Sequence, residues 1–306
     1  MDRGIFLDPK SGKVTLDDFA ETWIASRLVK GKPLAPRAAE LYRSLLRLHI
    51  SPVLGSIDIG KLEPAAVRTW HGHLLTNGPG RSTTAKCYRL LRAICQTAVA
   101  DELIPRNPVS IRGAGQEPES DRPMFTIDQI DALADAVDER WRAMILTAAW
   151  VGLRISELAA LRRYRVDLDS GVITVAEPVK SEASKRTVAV PPHIIPILRD
   201  HLDRYAEPGP TGLVFIGPRG GPIRRNNFAS DIWKPAARKA GLPPGSHLHD
   251  TRGFSATLAA RSGATTKELM KRLGHGSPRM AIKYQRAEAD RDLALALAMS
   301  AQSRKA

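Results

Sequence analysis

Six residues in fixed order along the second half of the chain have the chemistry for phosphoryl transfer: Arg154, Lys180, His249, Arg252, His275 and Tyr284. Guanidiniums neutralise the non-bridging oxygens of a phosphodiester, and their forked donors fit a tetrahedral oxyanion better than a point charge does. Imidazole and ammonium groups move protons near neutral pH. A phenol can attack and hold a phosphoryl group covalently. Taken singly, each has a plainer reading. Arg154 with Glu157 three residues on is an ordinary helix-surface ion pair. Lys180 in a hairpin turn is ordinarily a solvated lysine. His275 beyond a helix end is ordinarily a cation favoured by the helix dipole. Tyr284 on a helix of mixed polarity is ordinarily a packing residue. Order, spacing and local context together set them apart.

Periodicity shows which elements must position these residues. A first helix starts at Thr15 with Asp17 and Asp18 in its first turn, and Phe19, Trp23 and Ile24 make its apolar stripe. A second is expected from about Pro36 to Ile50, with Leu41, Leu45 and Leu48 at helical spacing and Ser51-Pro52 closing it. A third spans about 63–75, opened by Pro64. A fourth runs from Ser82 to about Leu103 with Tyr88, Leu91, Cys95, Ala98 and Val99 on one face. Residues 113–124, polar and containing Gly and Pro, read as a linker. Thr126-Ile127-Asp128-Gln129 is a capping-box pattern that opens the second domain, with Ile127, Ile130, Leu133 and Val137 following at helical spacing. A β-meander follows the Arg154 helix: a turn at Asp169-Ser170-Gly171, then strands at 172–175 and 188–190. Lys180 and Lys185 fall between these strands. Register does not follow from the sequence, so Lys185 rivals Lys180 as the hairpin lysine, although the spacing from Arg154 favours Lys180. His249 and Arg252, three apart, share a helix face. Gly274 is expected to end a helix in the left-handed cap position, and Ser277-Pro278 to start a short one that carries Tyr284. The fold class is therefore mainly α with a small β-meander, in two domains.

A net charge of +14 and a pI near 10.1 point to a polyanionic partner. No basic amphipathic helix with a Trp/Phe face suggests a membrane surface. The longest apolar run, 143–153, is too short to span a bilayer, and the N-terminus has no signal-peptide stretch, so a cytoplasmic protein is expected. Cys87 and Cys95 lie two helical turns apart, too far for a disulfide. His247 makes a His-x-His pair with His249, but no Cys or carboxylate cluster accompanies it, so no metal site is expected. Arg81, Lys86, Arg89 and Arg92 on the fourth helix are candidate contacts to that polyanion, with a solvated helix face as the plainer reading.

The contexts of the six residues resemble those of the tyrosine recombinase, or phage integrase, family. Gly152-Leu153-Arg154-Ile155-Ser156-Glu157-Leu158 is similar to its first-arginine motif. Val179-Lys180-Ser181, with Ser184-Lys185-Arg186-Thr187-Val188 and Pro191, resembles its hairpin-lysine motif. His249-Asp250-Thr251-Arg252 fits its His-x-x-Arg box, and Leu273-Gly274-His275 its Leu-Gly-His box. Tyr284 stands nine residues past His275, where the family places its nucleophile. Ile104-Pro105-Arg106-Asn107-Pro108-Val109 resembles the end of its core-binding domain. Thr251 stands where an aliphatic residue is usual and Gly253 where a histidine is common; neither replaces a catalytic group.

The resemblance implies a helical core-binding domain over 15–112 and a catalytic domain of the DNA breaking-rejoining type over 125–306. A C-terminal tail from about 290 would dock on its own domain or on a neighbour. Residues 1–14 read as an N-terminal extension, the seam that follows an arm-binding domain in larger members. The implied activity is site-specific recombination through a 3′-phosphotyrosyl intermediate. Arg154, Arg252 and His275 would hold the phosphate, His249 would help accept the phenolic proton, Lys180 would protonate the leaving 5′-oxygen, and Glu157 would orient Arg154. Neither a cofactor nor a metal is required. The implied partners are double-stranded DNA carrying core attachment sites, three further copies in a homotetramer, and a directionality factor or DNA-bending protein. Two rival outcomes share these residues: a type IB topoisomerase that only relaxes DNA, and a non-catalytic DNA-binding regulator.

Overall fold

Thr15 accepts the amide of Asp18 on its hydroxyl (3.2 Å) and caps the first helix of the protein, a computed structural model that describes residues 13–117, 124–176, 185–282 and 300. The chain divides into two units, Met1–Ser120 and Asp121–Ala306.

In the first unit, α1 (Leu16–Ser26) buries Leu16, Ala20, Trp23 and Ile24. A hairpin of β1 (Leu28–Val29) and β2 (Lys32–Pro33) leads to α2 (Pro36–Leu45), followed by α3 (Pro64–Asn77) and α4 (Arg81–Ala100). The expected stop at Ser51-Pro52 is absent. The chain instead winds on from Leu46 to Gly55 with i→i+5 bonding, Pro52 included. The buried apolar residues here are Leu45, Leu46, Ile50 and Leu54, while Leu41 and Leu48 are 48% and 51% exposed. Side chains tie down this segment. Trp70 Nε1 donates to the His49 carbonyl at 2.7 Å, and Ser51 Oγ to Asp17 at 2.5 Å. On α4, Tyr88, Leu91, Cys95 and Ala98 are buried as their spacing predicts. Both cysteines are free, and burial pushes the Cys87 thiol up to about 11 and the Cys95 thiol to about 12, so neither is a thiolate near neutrality.

Residues 113–117 of the expected linker lie on α4. Arg89 Nη1 donates to the Gly115 carbonyl at 2.7 Å and its Nη2 to Glu117 at 2.6 Å, while Ser82 Oγ donates to the same carboxylate at 2.5 Å. Gly and Pro made this stretch read as free chain, but the arginine of the helix beneath it takes its carbonyl.

In the second unit the helices are α5 (Ile127–Ala136), α6 (Glu139–Trp150) and α7 (Ile155–Ala159). The strands β3 (Val166–Asp167), β4 (Val172–Val175) and β5 (Arg186–Ala189) follow. After them come α8 (Ile195–Arg204), α9 (Arg225–Asn227), α10 (Lys234–Lys239), α11 (Leu248–Arg261), α12 (Thr266–Leu273) and α13 (Pro278–Ile282). The mainly helical class with a small antiparallel meander is as expected. Both capping-box bonds form at Thr126, from Gln129 N to Thr126 Oγ1 (3.2 Å) and from Thr126 N to Gln129 Oε1 (3.0 Å). Ile127, in the first turn, is 46% exposed rather than part of the stripe, which begins at Ile130.

The apolar run 143–149 is buried all round in α6, which packs against α5 and α11. The sheet runs β3-β4-β5, with Val175 opposite Arg186 and Ile173 opposite Val188. The last strand thus starts two residues before the expected 188. No helix among the described residues is long and apolar enough to cross a membrane.

Gly152, just past α6, has φ +77°, and a Cβ there would lie 2.8 Å from Ser255 Oγ and 3.1 Å from Leu273 Cδ2. Left-handed backbone and overpacking each carry a cost. Gly152→Ala is therefore expected to lower unfolding free energy by about 2–4 kcal/mol. A urea midpoint within error of wild type would contradict this packing.

Candidate active site

The turn after α6 delivers Arg154 to the N-cap of α7, where its backbone is extended (φ −76°, ψ 153°). Glu157, in the first turn of α7, accepts the Arg154 amide on Oε2 (2.8 Å) and Arg154 Nη1 on Oε1 (2.6 Å). Arg154 Nη2 reaches the Gly274 carbonyl at 3.1 Å. The pair is not the solvated surface bridge of its plainer reading, because the Glu157 side chain is only 2% exposed. Burial alone would raise the Glu157 pKa. Bonds from Arg186 and then Arg154 outweigh it and hold the carboxyl below its ordinary range.

Arg252, on the buried side of α11, donates from Nη1 to the Gly152 carbonyl (2.5 Å) and from Nη2 to the Leu273 carbonyl. Gly274 takes the left-handed cap conformation at the end of α12 (φ 60°, ψ 53°), as its position predicts. Its carbonyl holds Arg154 and that of Leu273 holds Arg252, so the two arginines fix the turn that presents His275. The His275 amide closes the turn on the Met270 carbonyl at 3.0 Å.

His275 is buried rather than an exposed cap. Burial, then the charges of Arg252, Arg154, Arg186 and His249, push its pKa down to about 4. The imidazole is therefore neutral at pH 7, contrary to the dipole-stabilised cation of its plainer reading. Its ordinary pKa of 6.5 means that the unfolded chain binds this proton first on acidification. His275 thus contributes stability that is complete above pH 6.5 and falls by up to about 3 kcal/mol as pH drops towards 4. Urea midpoints at pH 7.5 and 5 should show this loss, and His275→Gln should flatten it. Stability that rose on acidification across that window would contradict the assignment.

His249, in the first turn of α11, is exposed. The backbone N–H of His247 donates to Asp250 at 2.7 Å and opens that helix, while the His247 side chain stays 70% exposed. Thr251, at the aliphatic position, is buried with its hydroxyl donating to the Leu248 carbonyl (2.7 Å), which offsets the burial of a polar group. Lys185 is exposed, one residue before β5. Lys180 and Tyr284 lie outside the described residues, as does the expected C-terminal tail except Ser300. Among the described residues, no group of three or more His, Cys, Asp or Glu side chains is placed to hold a metal ion.

Of the four α4 candidates, Arg89 spends donors on Gly115 and Glu117, Arg92 donates to the Val109 carbonyl (2.5 Å), and Lys86 lies 3.8 Å from Glu117. Arg81 is exposed at the first residue of the helix. These contacts tether the segment after α4, and they give Arg89 and Arg92 a structural task that helical spacing does not disclose.

Sequence reasoning passed over two groups of residues. Arg186 pairs with Glu157 through both nitrogens, 3.1 and 3.0 Å, with each side chain 2% exposed. Its alternation with Val188 was the available signal, masked because arginine is so seldom fully buried. The second group lines a cleft of about 750 Å³ that has Arg154 and His249 in its wall. Arg225, Lys234 and Arg238 border it, and among the described residues that line it none is acidic. Lys234 and Arg238 are four apart on α10, hence on one face.

Residues 123–291 match the phage integrase family, and residues 15–75 match the phage integrase N-terminal SAM-like domain. The chain is 36% identical to a prophage phiRv2 integrase of Mycobacterium tuberculosis, over 92% of this chain and 77% of that protein. It is 37% identical to the integrase of Mycobacterium phage D29, over 94% of this chain and 78% of that one. Its fold is similar to that of the Tn1549 transposon integrase solved with a circular intermediate DNA, with a TM-score of 0.79, 19% identity and coverage of 89% and 95% of the two chains. The chain belongs to the phage integrase family. Its activity is that of a site-specific tyrosine recombinase.

Proposed function

We propose that Tyr284 attacks a scissile phosphodiester of duplex DNA, forming a 3′-phosphotyrosyl bond as the bond to the 5′-oxygen breaks. Arg154 and Arg252 hold the non-bridging oxygens and stabilise the charge that builds in the pentacoordinate transition state. His275, neutral at working pH, donates an N–H to the same oxygens without adding charge. His249 helps accept the phenolic proton, and Lys180 protonates the departing 5′-oxygen. A 5′-hydroxyl from a second duplex then attacks the phosphotyrosyl bond and frees the phenol. The ester bond is conserved at each step, so no nucleotide hydrolysis is needed. The observation that carries this reading is the anchoring of Arg154 and Arg252 on consecutive carbonyls, Gly274 and Leu273, immediately before His275.

Arg225, Lys234 and Arg238 suit phosphates that flank the scissile one, because they share the Arg154–His249 cleft, whose described lining residues include no acid. Arg81 and Lys86 suit phosphates reached from the first unit. Each contact makes the slope of log affinity against log salt about 0.9 more negative. Four protomers on two duplexes would exchange strands pairwise in the cytoplasm or nucleoid, with a directionality factor or DNA-bending protein selecting the outcome.

The test incubates purified protein with two labelled duplexes that carry candidate attachment sites, alongside a supercoiled plasmid. Joined recombinant duplexes are the expected product. Relaxed plasmid without joining would instead make the chain a topoisomerase. Specific binding with no cutting by wild type would make it a regulator.

A further inference from the structure

Glu157 lies under two arginines. Each of its carboxylate oxygens accepts one bond from Arg154 and one from Arg186. Oε1 takes Arg154 Nη1 (2.6 Å) and Arg186 Nη1 (3.1 Å), and Oε2 takes the Arg154 amide (2.8 Å) and Arg186 Nη2 (3.0 Å). Arg186 enters from β5, on the buried face of the sheet opposite Val175. Its remaining edge donates from Nε to the Arg272 carbonyl at 2.8 Å. That carbonyl lies one residue before Leu273, which holds Arg252. Arg186 thus bonds at once to α12 and to the carboxylate that aims Arg154, while belonging to the hairpin strand.

We propose that Arg186 is a positioning residue for DNA cleavage: from β5 it fixes and neutralises Glu157, so that the hairpin strand and the phosphate-binding Arg154 are set as one piece. The inference rests on the proposed function. With Arg154 alone, the Glu157 carboxylate would cancel the one guanidinium meant for phosphate and draw it inward. A second guanidinium on Glu157 means that the carboxylate is not neutralised by Arg154 alone. The planar fork is essential, because an ammonium cannot span both Glu157 oxygens and the Arg272 carbonyl in one geometry.

The test separates aim from folding. Single-turnover cleavage of a nicked suicide duplex is measured at saturating protein, with Kd determined separately. The proteins are wild type, Arg186→Lys, and the charge-free pair Glu157→Gln/Arg186→Met, each followed by thermal melting. Arg186→Lys is expected to cleave about 10–100-fold more slowly with Kd within about 3-fold of wild type, as misplacement of a catalytic group by an ångström does. The charge-free pair is expected to melt near wild type, having no buried charge left unpaired, yet to stay slow. Either variant cleaving at the wild-type rate while folded would overturn the proposal. So would a loss residing wholly in Kd, since Arg186 would then serve binding or stability alone. A wild type that forms no covalent adduct overturns the proposed function, and this inference with it.

Discussion

Arg252→Ala is expected to slow DNA cleavage by about 10²–10³-fold, the usual cost of removing one donor from a pre-organised oxyanion site. Arg252 is buried, and two of its nitrogens already hold the Gly152 and Leu273 carbonyls. It therefore needs no reorganisation when charge builds on the phosphate. The same anchoring predicts a structural cost. The variant leaves two buried carbonyls without their donor, at about 1–3 kcal/mol each. Arg252→Lys should fare little better in rate, since one ammonium cannot bond both carbonyls and a phosphate oxygen. Single-turnover cleavage at saturating protein, at a temperature where the variant is folded, separates the two effects. A folded Arg252→Ala that cuts within about 3-fold of wild type would remove Arg252 from the mechanism.

Glu157→Leu is expected to destabilise the fold by about 3–5 kcal/mol, because it strands a buried charge. The Arg186 side chain is only 2% exposed and would then face Arg154 with no carboxylate between them. Adding Arg186→Met should recover most of the loss, since a buried pair replaced by apolar side chains is often nearly neutral. Urea midpoints of the two singles and the double give the coupling directly. Additive losses would show that the carboxylate and the guanidinium act independently.

Local signals were legible wherever the structure follows from a few adjacent residues. Thr15 with Asp18, Thr126 with Gln129 and Gly274 at its cap each act over one helical turn and take the expected form. Pro278 likewise opens α13, with Ser277 just before it, at the expected place. Features set by distant chain were not legible. The widened winding from Leu46, tied down by tertiary bonds such as Trp70 to His49, departs from a stripe written for 3.6 residues per turn. Arg89 reads as a free cation until Gly115 and Glu117 lie down beside it. The neutral state of His275 depends on burial and on cations that are far apart in sequence, Arg154, Arg186 and Arg252 among them. Of the site itself, the residue types were legible, but the hub was not. Glu157 is legible as the acid that orients Arg154, but its burial is shared with Arg186, an arginine on a strand whose register no local pattern discloses.

The central claim is that this site moves a DNA phosphoryl group onto Tyr284, and the nicked suicide duplex tests it most directly. Wild type and Tyr284→Phe are incubated with the duplex in EDTA, resolved on a denaturing gel, and the linked peptide is mapped. The expected result is a covalent adduct through the 3′-phosphate at Tyr284, a released strand with a free 5′-hydroxyl, and no adduct for Tyr284→Phe, which still binds the duplex. An adduct that persists in Tyr284→Phe, or one joined through the 5′-phosphate, would contradict it.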